Sequence, residues 1–252
     1  MILVKLGGRL LPADAIAARL APWRQDGLVV VHGGGVQIGE YLERLGHGQS
    51  RFVDGLRVTT EATMPVVAMV LAGLLNPALV LACVQAGMSA VGLTGVDGGL
   101  LEAHAQQGPD GSSMERTGGV HAVHPALVRQ LVAQGHVPVI APIAHGPAGL
   151  YNINADEAAS ALAGALQVRL AVLLTDTPGV LDEHGVTIPA LDAPGVEVLL
   201  ARGIAKGGMM PKLRSASAAL EAGCDEVVIA AEDALEDALE GKGGRLTRLR
   251  VP

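Results

Sequence analysis

The sequence predicts an α/β fold in which a mostly parallel sheet is covered by helices on both faces. Three observations carry that expectation. Short apolar runs alternate with longer helical patterns from one end of the chain to the other. The runs are continuously aliphatic rather than alternating in polarity, as strands buried on both faces require. Glycine-rich turns follow several of them, at what would be the carboxyl ends of parallel strands, where such sheets hold their ligands. Bulk composition agrees. Half of the 252 residues are hydrophobic and 17% are charged, enough for a large core and too apolar for a disordered chain. Trp23, Tyr41, Phe52 and Tyr151 are the only aromatics, so the core has to be aliphatic.

Taken in order, residues 1–6 read as a strand and 13–23 as a helix. A strand over 28–31 closes on Gly33-Gly34-Gly35, and 36–45 is helical by spacing. Residues 62–85 carry no charge and read as a buried or interface helix broken near Asn76. Interruptions at Pro65, Asn76 and Pro77, and the lack of a basic flank, argue against a membrane span. Strands over 89–93, 137–141, 170–174 and 226–229 alternate with helices over 125–134, 154–166 and 211–221. Two irregular segments, 46–59 and 100–119, are rich in Gly, Asp, Ser and His and read as hairpins or lids over the strand ends. A boundary near Gln167 would divide the chain into lobes 1–167 and 168–252 sharing one sheet.

Composition also narrows function. The net charge is −7, and no Lys/Arg cluster supplies the basic face that general nucleic-acid binding needs. Cys83 and Cys224 lie far apart in no CxxC pattern, which suggests buried thiols rather than a disulfide or a zinc site; no protein metal ligand is expected. The first residues enter a strand with no signal-peptide pattern, so a cytoplasmic protein is expected. Of the 18 basic residues only Lys5, Lys206, Lys212 and Lys242 are lysine. A chain that usually supplies positive charge as arginine keeps lysine where a compact ammonium is useful.

Lys5-Leu6-Gly7-Gly8 ends the first strand. It can send an ammonium into a cleft while bare backbone N–H groups meet an oxyanion, or it can be a tight turn whose lysine stem covers apolar surface. His32-Gly33-Gly34-Gly35 lies between a strand and a helix. Three glycines allow close backbone approach, and the helix N-terminus favours a phosphate or carboxylate. The spacing is neither a dinucleotide fingerprint nor a Walker loop, and His32 reads as structural rather than catalytic. Arg57, in Gly55-Leu56-Arg57-Val58-Thr59, can clamp a carboxylate through two donors or simply lie on the surface. Asn152-Ile153-Asn154-Ala155-Asp156 opens a helix; capping explains Asn154 and the first-turn acid, but not Asn152. Thr175-Asp176-Thr177-Pro178-Gly179 has turn chemistry suited to the edge of a nucleotide. In Lys206-Gly207-Gly208-Met209-Met210-Pro211-Lys212 the proline marks a helix start. A cation just inside that start opposes the helix dipole, so an anionic ligand explains Lys212 better than stability does.

In order and spacing these motifs, with Gly92-Leu93-Thr94-Gly95-Val96-Asp97-Gly98, resemble the amino acid kinase family over essentially the whole chain. Within it they are most similar to the members that act on N-acetyl-L-glutamate. The resemblance implies an open three-layer αβα sandwich with the acceptor in the N-terminal lobe and ATP in the C-terminal lobe. It implies that Lys5 and Lys212 flank the transferring phosphoryl group and that Asp156 orients both. Gly34, Gly35, Arg57 and Asn152 would hold N-acetyl-L-glutamate. Gly7, Gly8, Asp176, Gly179, Ile204 and Lys206 would line the ATP site, with Mg²⁺ held mainly by the nucleotide. The 62–85 helix would pair two subunits in a homodimer. Arginine-inhibited members carry an extra N-terminal helix; only four residues precede Lys5 here, so little inhibition by arginine is expected. The rivals are a kinase for carrier-protein-linked aminoadipate or glutamate, which would favour a basic docking surface, and a non-catalytic nucleotide-binding regulatory module, which would not need all of Lys5, Asp156 and Lys212.

Overall fold

The computed structural model describes residues 1–7, 14–205 and 208–250. Its strands, in chain order, are β1 (Ile2–Leu6), β2 (Leu28–His32), β3 (Phe52–Val53), β4 (Leu56–Arg57), β5 (Ala90–Thr94), β6 (Leu101–Gln107) and β7 (Ser113–Val123). They continue with β8 (Val137–Ala141), β9 (Ile143–Gly146), β10 (Gly149–Ile153), β11 (Leu170–Thr175), β12 (Ala190–Leu191), β13 (Glu226–Ala231) and β14 (Leu246–Arg250). The α-helices are α1 (Asp14–Leu20), α2 (Gly35–Arg44), α3 (Met64–Ala68), α4 (Asn76–Gln85), α5 (Ala126–Ala133), α6 (Ala155–Leu166), α7 (Ala193–Ala201), α8 (Met209–Glu221) and α9 (Leu235–Leu239).

Eight strands form one sheet in the order β12-β14-β13-β11-β1-β2-β8-β5. β14 runs antiparallel to β13, and the other neighbouring pairs are parallel. β1 lies between β11 and β2, with Lys5 level with Leu173 on one side and Val31 on the other. Its side chains alternate between the faces, as the strand period of two demands. Ile2, Val4 and Leu6 pack with α1, α4 and α9, whereas Leu3 packs with α6, α7 and α8. Lys5 therefore belongs to the α6/α8 face, and that assignment positions the site. The three-layer α/β architecture matches the sequence expectation. Beside the sheet, β6, β7, β9 and β10 close a small barrel, and β3 and β4 make a hairpin. The two irregular segments thus hold hairpin strands.

The 62–85 region departs from expectation. It is one helix, Met64–Gln85, long and apolar enough to cross a membrane by length and composition, yet half of its most apolar window is buried in the fold. It is not broken near Asn76. A π-helical stretch, Met69–Leu75, joins α3 to α4, and the wider turn makes room for Pro77, which has no N–H to give to the preceding turn. α8 begins at Met209, two residues before Pro211; the missing N–H of Pro211 falls among the first four, which have no partner within a helix in any case.

α6 crosses α8 closely at Gly164, where a Cβ would lie 2.4 Å from that of Ala222 and 3.4 Å from the Ala219 carbonyl. Gly164→Ala should push the helices apart and cost about 1–3 kcal/mol. A calorimetric Tm should fall by several degrees, and an unchanged Tm would show that α8 is not held by this contact.

Candidate functional site

Lys5 sits next to the carboxyl end of β1, and Asp156 is the second residue of α6. The α6 start is set by Asn154, whose side-chain oxygen accepts from the Asp156 and Glu157 N–H groups at 2.8 and 3.3 Å, a standard N-cap arrangement. Lys212 is the fourth residue of α8. These elements bring one carboxylate between two ammonium groups. Lys212 Nζ donates to Asp156 Oδ2 at 2.8 Å, and Lys5 Nζ lies 2.8 Å from Oδ1 as an ion pair without hydrogen-bond alignment. Each of the three residues is less than 10% exposed. Burial alone would raise the Asp156 carboxyl, but Lys5 and then Lys212 outweigh it and hold it down at about 2. Burial lowers the Lys212 ammonium below its ordinary range, and repulsion from Lys5 adds to that against the pull of Asp156. Lys212 thus has an internal anion, Asp156, as its partner, in addition to any anionic ligand.

On one side of this cluster is a cavity of about 410 Å³ lined by Lys5, Asp156, Gly34, Gly35, Arg57 and Asn152. Gly34 caps α2, so the glycine turn opens directly into a helix N-terminus. The Arg57 guanidinium donates to the Gly35 carbonyl at 2.5 Å and to Ser50 Oγ, and lies over the Phe52 ring, 4.9 Å from its centroid. Asn152 Nδ2 donates to Thr59 Oγ1 at 2.9 Å. Thr117 Oγ1 in turn donates to the Arg57 carbonyl and accepts from the Thr59 N–H, both at 2.8 Å. The sequence marks Thr59 only as part of the Arg57 motif and gives no sign of Thr117, because no local pattern relates two threonines 58 residues apart.

On the other side a cavity of about 650 Å³ is lined by Lys5, Gly7, Thr175, Asp176 and Lys212, together with Arg19 and Arg245. A third hollow of about 400 Å³ shares Asn154 and Asp156 with the first and Thr175, Asp176 and Lys212 with the second. Gly179 and Ile204 line none of the three. Gly179 has φ +94°, and a Cβ there would lie 2.9 Å from the Thr247 backbone nitrogen; Ile204 packs on the core. Gly8 and Lys206 lie outside the described residues. Among the described residues no group of three or more His, Cys, Asp or Glu side chains is placed to hold a metal ion. Cys83 and Cys224 are free and buried, as expected, and burial pushes both thiols up to about 11. Neither suits a nucleophile.

The arrangement is an electrostatic one. Two ammonium groups and one carboxylate leave a net positive charge between two cavities, each with glycine backbone at its edge. That can hold two anions close together.

The sequence profile of the amino acid kinase family matches residues 1–231. An acetylglutamate kinase of Methanopyrus kandleri is 44% identical over 250 residues, covering 96% of this chain and 98% of that protein. One from Chloroflexus aurantiacus is 47% identical over 207 residues, covering 81% and 80%. Among solved structures, an N-acetylglutamate synthase of Neisseria gonorrhoeae, complexed with coenzyme A and N-acetyl-glutamate, superposes with a TM-score of 0.82 at 25% identity, covering 99% of this chain and 59% of that one.

The low carboxyl of Asp156 makes stability depend on pH in a defined sense. Folding lowers it from 3.8 to about 2, so its contribution is complete above about pH 4 and fades as the pH falls through about 2. Urea midpoints measured from about pH 6 downward should show this loss in the wild-type chain and not in Asp156→Asn. At neutral pH that variant should already be weaker by about 3–5 kcal/mol, because two buried ammonium groups lose their counter-charge. Parallel pH curves for the two chains would contradict the pairing.

Proposed function

Because the chain belongs to the amino acid kinase family, we propose that it transfers the γ-phosphoryl group of ATP to the side-chain carboxylate of N-acetyl-L-glutamate. This forms an acyl phosphate for arginine biosynthesis. The observation that carries the reading is Lys5, which lines both the Arg57/Asn152 cavity and the Gly7/Asp176 cavity and so stands where a donor and an acceptor would meet. The kinase names of the curated relatives, and their coverage of four fifths or more of both chains, support it.

The acceptor carboxylate has an ordinary pKa of about 4.3 and is ionised at neutral pH, so no general base is required. A carboxylate oxygen attacks phosphorus, the bond to the bridging β,γ-oxygen breaks, and ADP departs with that electron pair; no proton moves. The obstacle is repulsion between the carboxylate and the polyphosphate. Lys5 and Lys212 offset it from two sides, and Asp156 keeps both ammonium groups on the reaction line. Arg57 and Asn152 hold the α-carboxylate and acetamido end, and the Gly34 and Gly35 backbone faces the reacting carboxylate. Gly7 and Asp176 edge the nucleotide, with Gly8, Gly179, Ile204 and Lys206 assigned to the same site by resemblance. The donor set fits a Mg–nucleotide: a net positive cluster for the phosphates and the Asp176 carboxylate at the cavity wall. Mg²⁺ carried on the nucleotide supplies further charge neutralisation.

In this reading residues 1–167 hold the acceptor and residues 168–252 the nucleotide. The exposed Met69, Leu74, Leu81 and Val84 of the long helix form the contact of a cytoplasmic homodimer.

Lys5→Ala and Lys212→Ala should each lower kcat by at least about a hundredfold in a coupled ADP-release assay. Near-normal turnover in either would remove the mechanism. The same assay should show N-acetylglutamate preferred over glutamate and N-acetylaminoadipate. Sedimentation at micromolar concentration should give a dimer, and a monomer would refute that assignment of the helix.

A further inference from the structure

His32, the last residue of β2, is fully buried at the point where the glycine turn leaves the sheet. A buried imidazole needs partners for both nitrogens, and His32 has them. Nδ1 lies 3.0 Å from the Gly33 carbonyl oxygen. Nε2 lies 3.1 Å from Asn76 Nδ2. The Asn76 amide is oriented by its other neighbours: Nδ2 also faces the carbonyl oxygens of Val139 at 2.9 Å and Leu93 at 3.4 Å. These oxygens only accept, so Nδ2 must be the amide nitrogen, and it donates. The imidazole is thereby defined. Nε2 accepts from Asn76 and carries no proton; Nδ1 carries the proton and donates to Gly33. Burial favours the same neutral form by lowering the His32 pKa.

The consequence falls on the turn. In a trans peptide the C=O of Gly33 and the N–H of Gly34 point in opposite directions. Drawing the Gly33 oxygen onto the imidazole therefore turns the Gly34 N–H away from the ring, in a turn whose Gly33, Gly34 and Gly35 line the cavity with Lys5. A second restraint keeps the turn there: a Cβ on Gly34 would lie 2.5 Å from Leu75 and 2.7 Å from Leu71, both in the π-helical stretch that immediately precedes Asn76. Gly92 leaves the space that the Asn76 amide fills, since a Cβ there would lie 2.2 Å from Asn76 Oδ1.

We infer that His32 and Asn76 are positioning residues for phosphoryl transfer: Asn76 locks the His32 tautomer, and His32 aims the Gly34 N–H at the reacting anion. Neither touches substrate. The inference rests on the kinase reading above for its catalytic consequence, but the tautomer itself does not.

The test uses the full chain and two variants that differ in which imidazole nitrogen they imitate. The amide of Asn occupies the position of Nδ1, and that of Gln the position of Nε2. His32→Gln should lower kcat by about ten- to a hundredfold, the scale of a misaimed reacting group, with the KM for ATP changed less than about twofold. His32→Asn should recover most of that loss. Loss of kcat in both variants in proportion to their fall in Tm would assign His32 a purely structural role and overturn the inference, as would wild-type turnover in both. Nitrogen-15 shifts of the His32 ring in the wild-type chain give a readout independent of activity: a proton on Nδ1 is expected, and a proton on Nε2 overturns the lock. If the wild-type chain leaves N-acetylglutamate unphosphorylated, the kinase reading fails, while the ring shifts still decide the tautomer.

Discussion

A single carboxylate shared by two ammonium groups is the constraint on which the rest of the site depends. Removing three charges from water is costly, and each ammonium alone would be driven toward its neutral form. Asp156 offsets that cost for both, and its own carboxyl is held down at about 2 in return. One negative charge does not cancel two positive ones. The surplus remains in a site of low polarisability, where its attraction for an anion is stronger than at the surface. The same arithmetic suits the proposed phosphoryl transfer, which needs counter-charge rather than a base.

Sheet topology decides where that charge is felt. β1 is central, with β2 and β8 to one side and β11 and β13 to the other. A lysine next to its carboxyl end borders both crevices. Strand periodicity turns Lys5 to the α6/α8 face, and those two helices present Asp156 and Lys212 from their first turns. A lysine so near a helix start is unfavourable on dipole grounds, and the buried ion pair outweighs it.

The glycine turn shows how an aromatic-poor core still holds a polar loop in one conformation. Leucines of the long helix press on Gly34, Arg57 grips Gly35, and the His32 imidazole holds Gly33. These restraints come from different elements, so the turn is over-determined, which suits the anion-binding role proposed for it. Thr59 and Thr117 do the same for the Arg57 and Asn152 side of the cavity.

The sequence by itself determined the main strand and helix alternation, the mostly parallel sheet and the glycine turn at residues 33–35, because aliphatic runs and turn chemistry are local signals. It also marked Lys5 and Lys212 by their motifs, whereas capping accounts for a first-turn acid and the family resemblance alone singles out Asp156. Only the tertiary structure decided that these three share one ion cluster, that Lys212 has an internal partner, and that residues 64–85 form an unbroken helix through a π-helical stretch. The same holds for the small barrel of β6, β7, β9 and β10, and for the roles of His32, Asn76, Thr59 and Thr117. The reason is physical: a hydrogen bond between residues 44 or 58 positions apart leaves no periodic trace in the chain. Its partners become recognisable only once the sheet has fixed the distances between them.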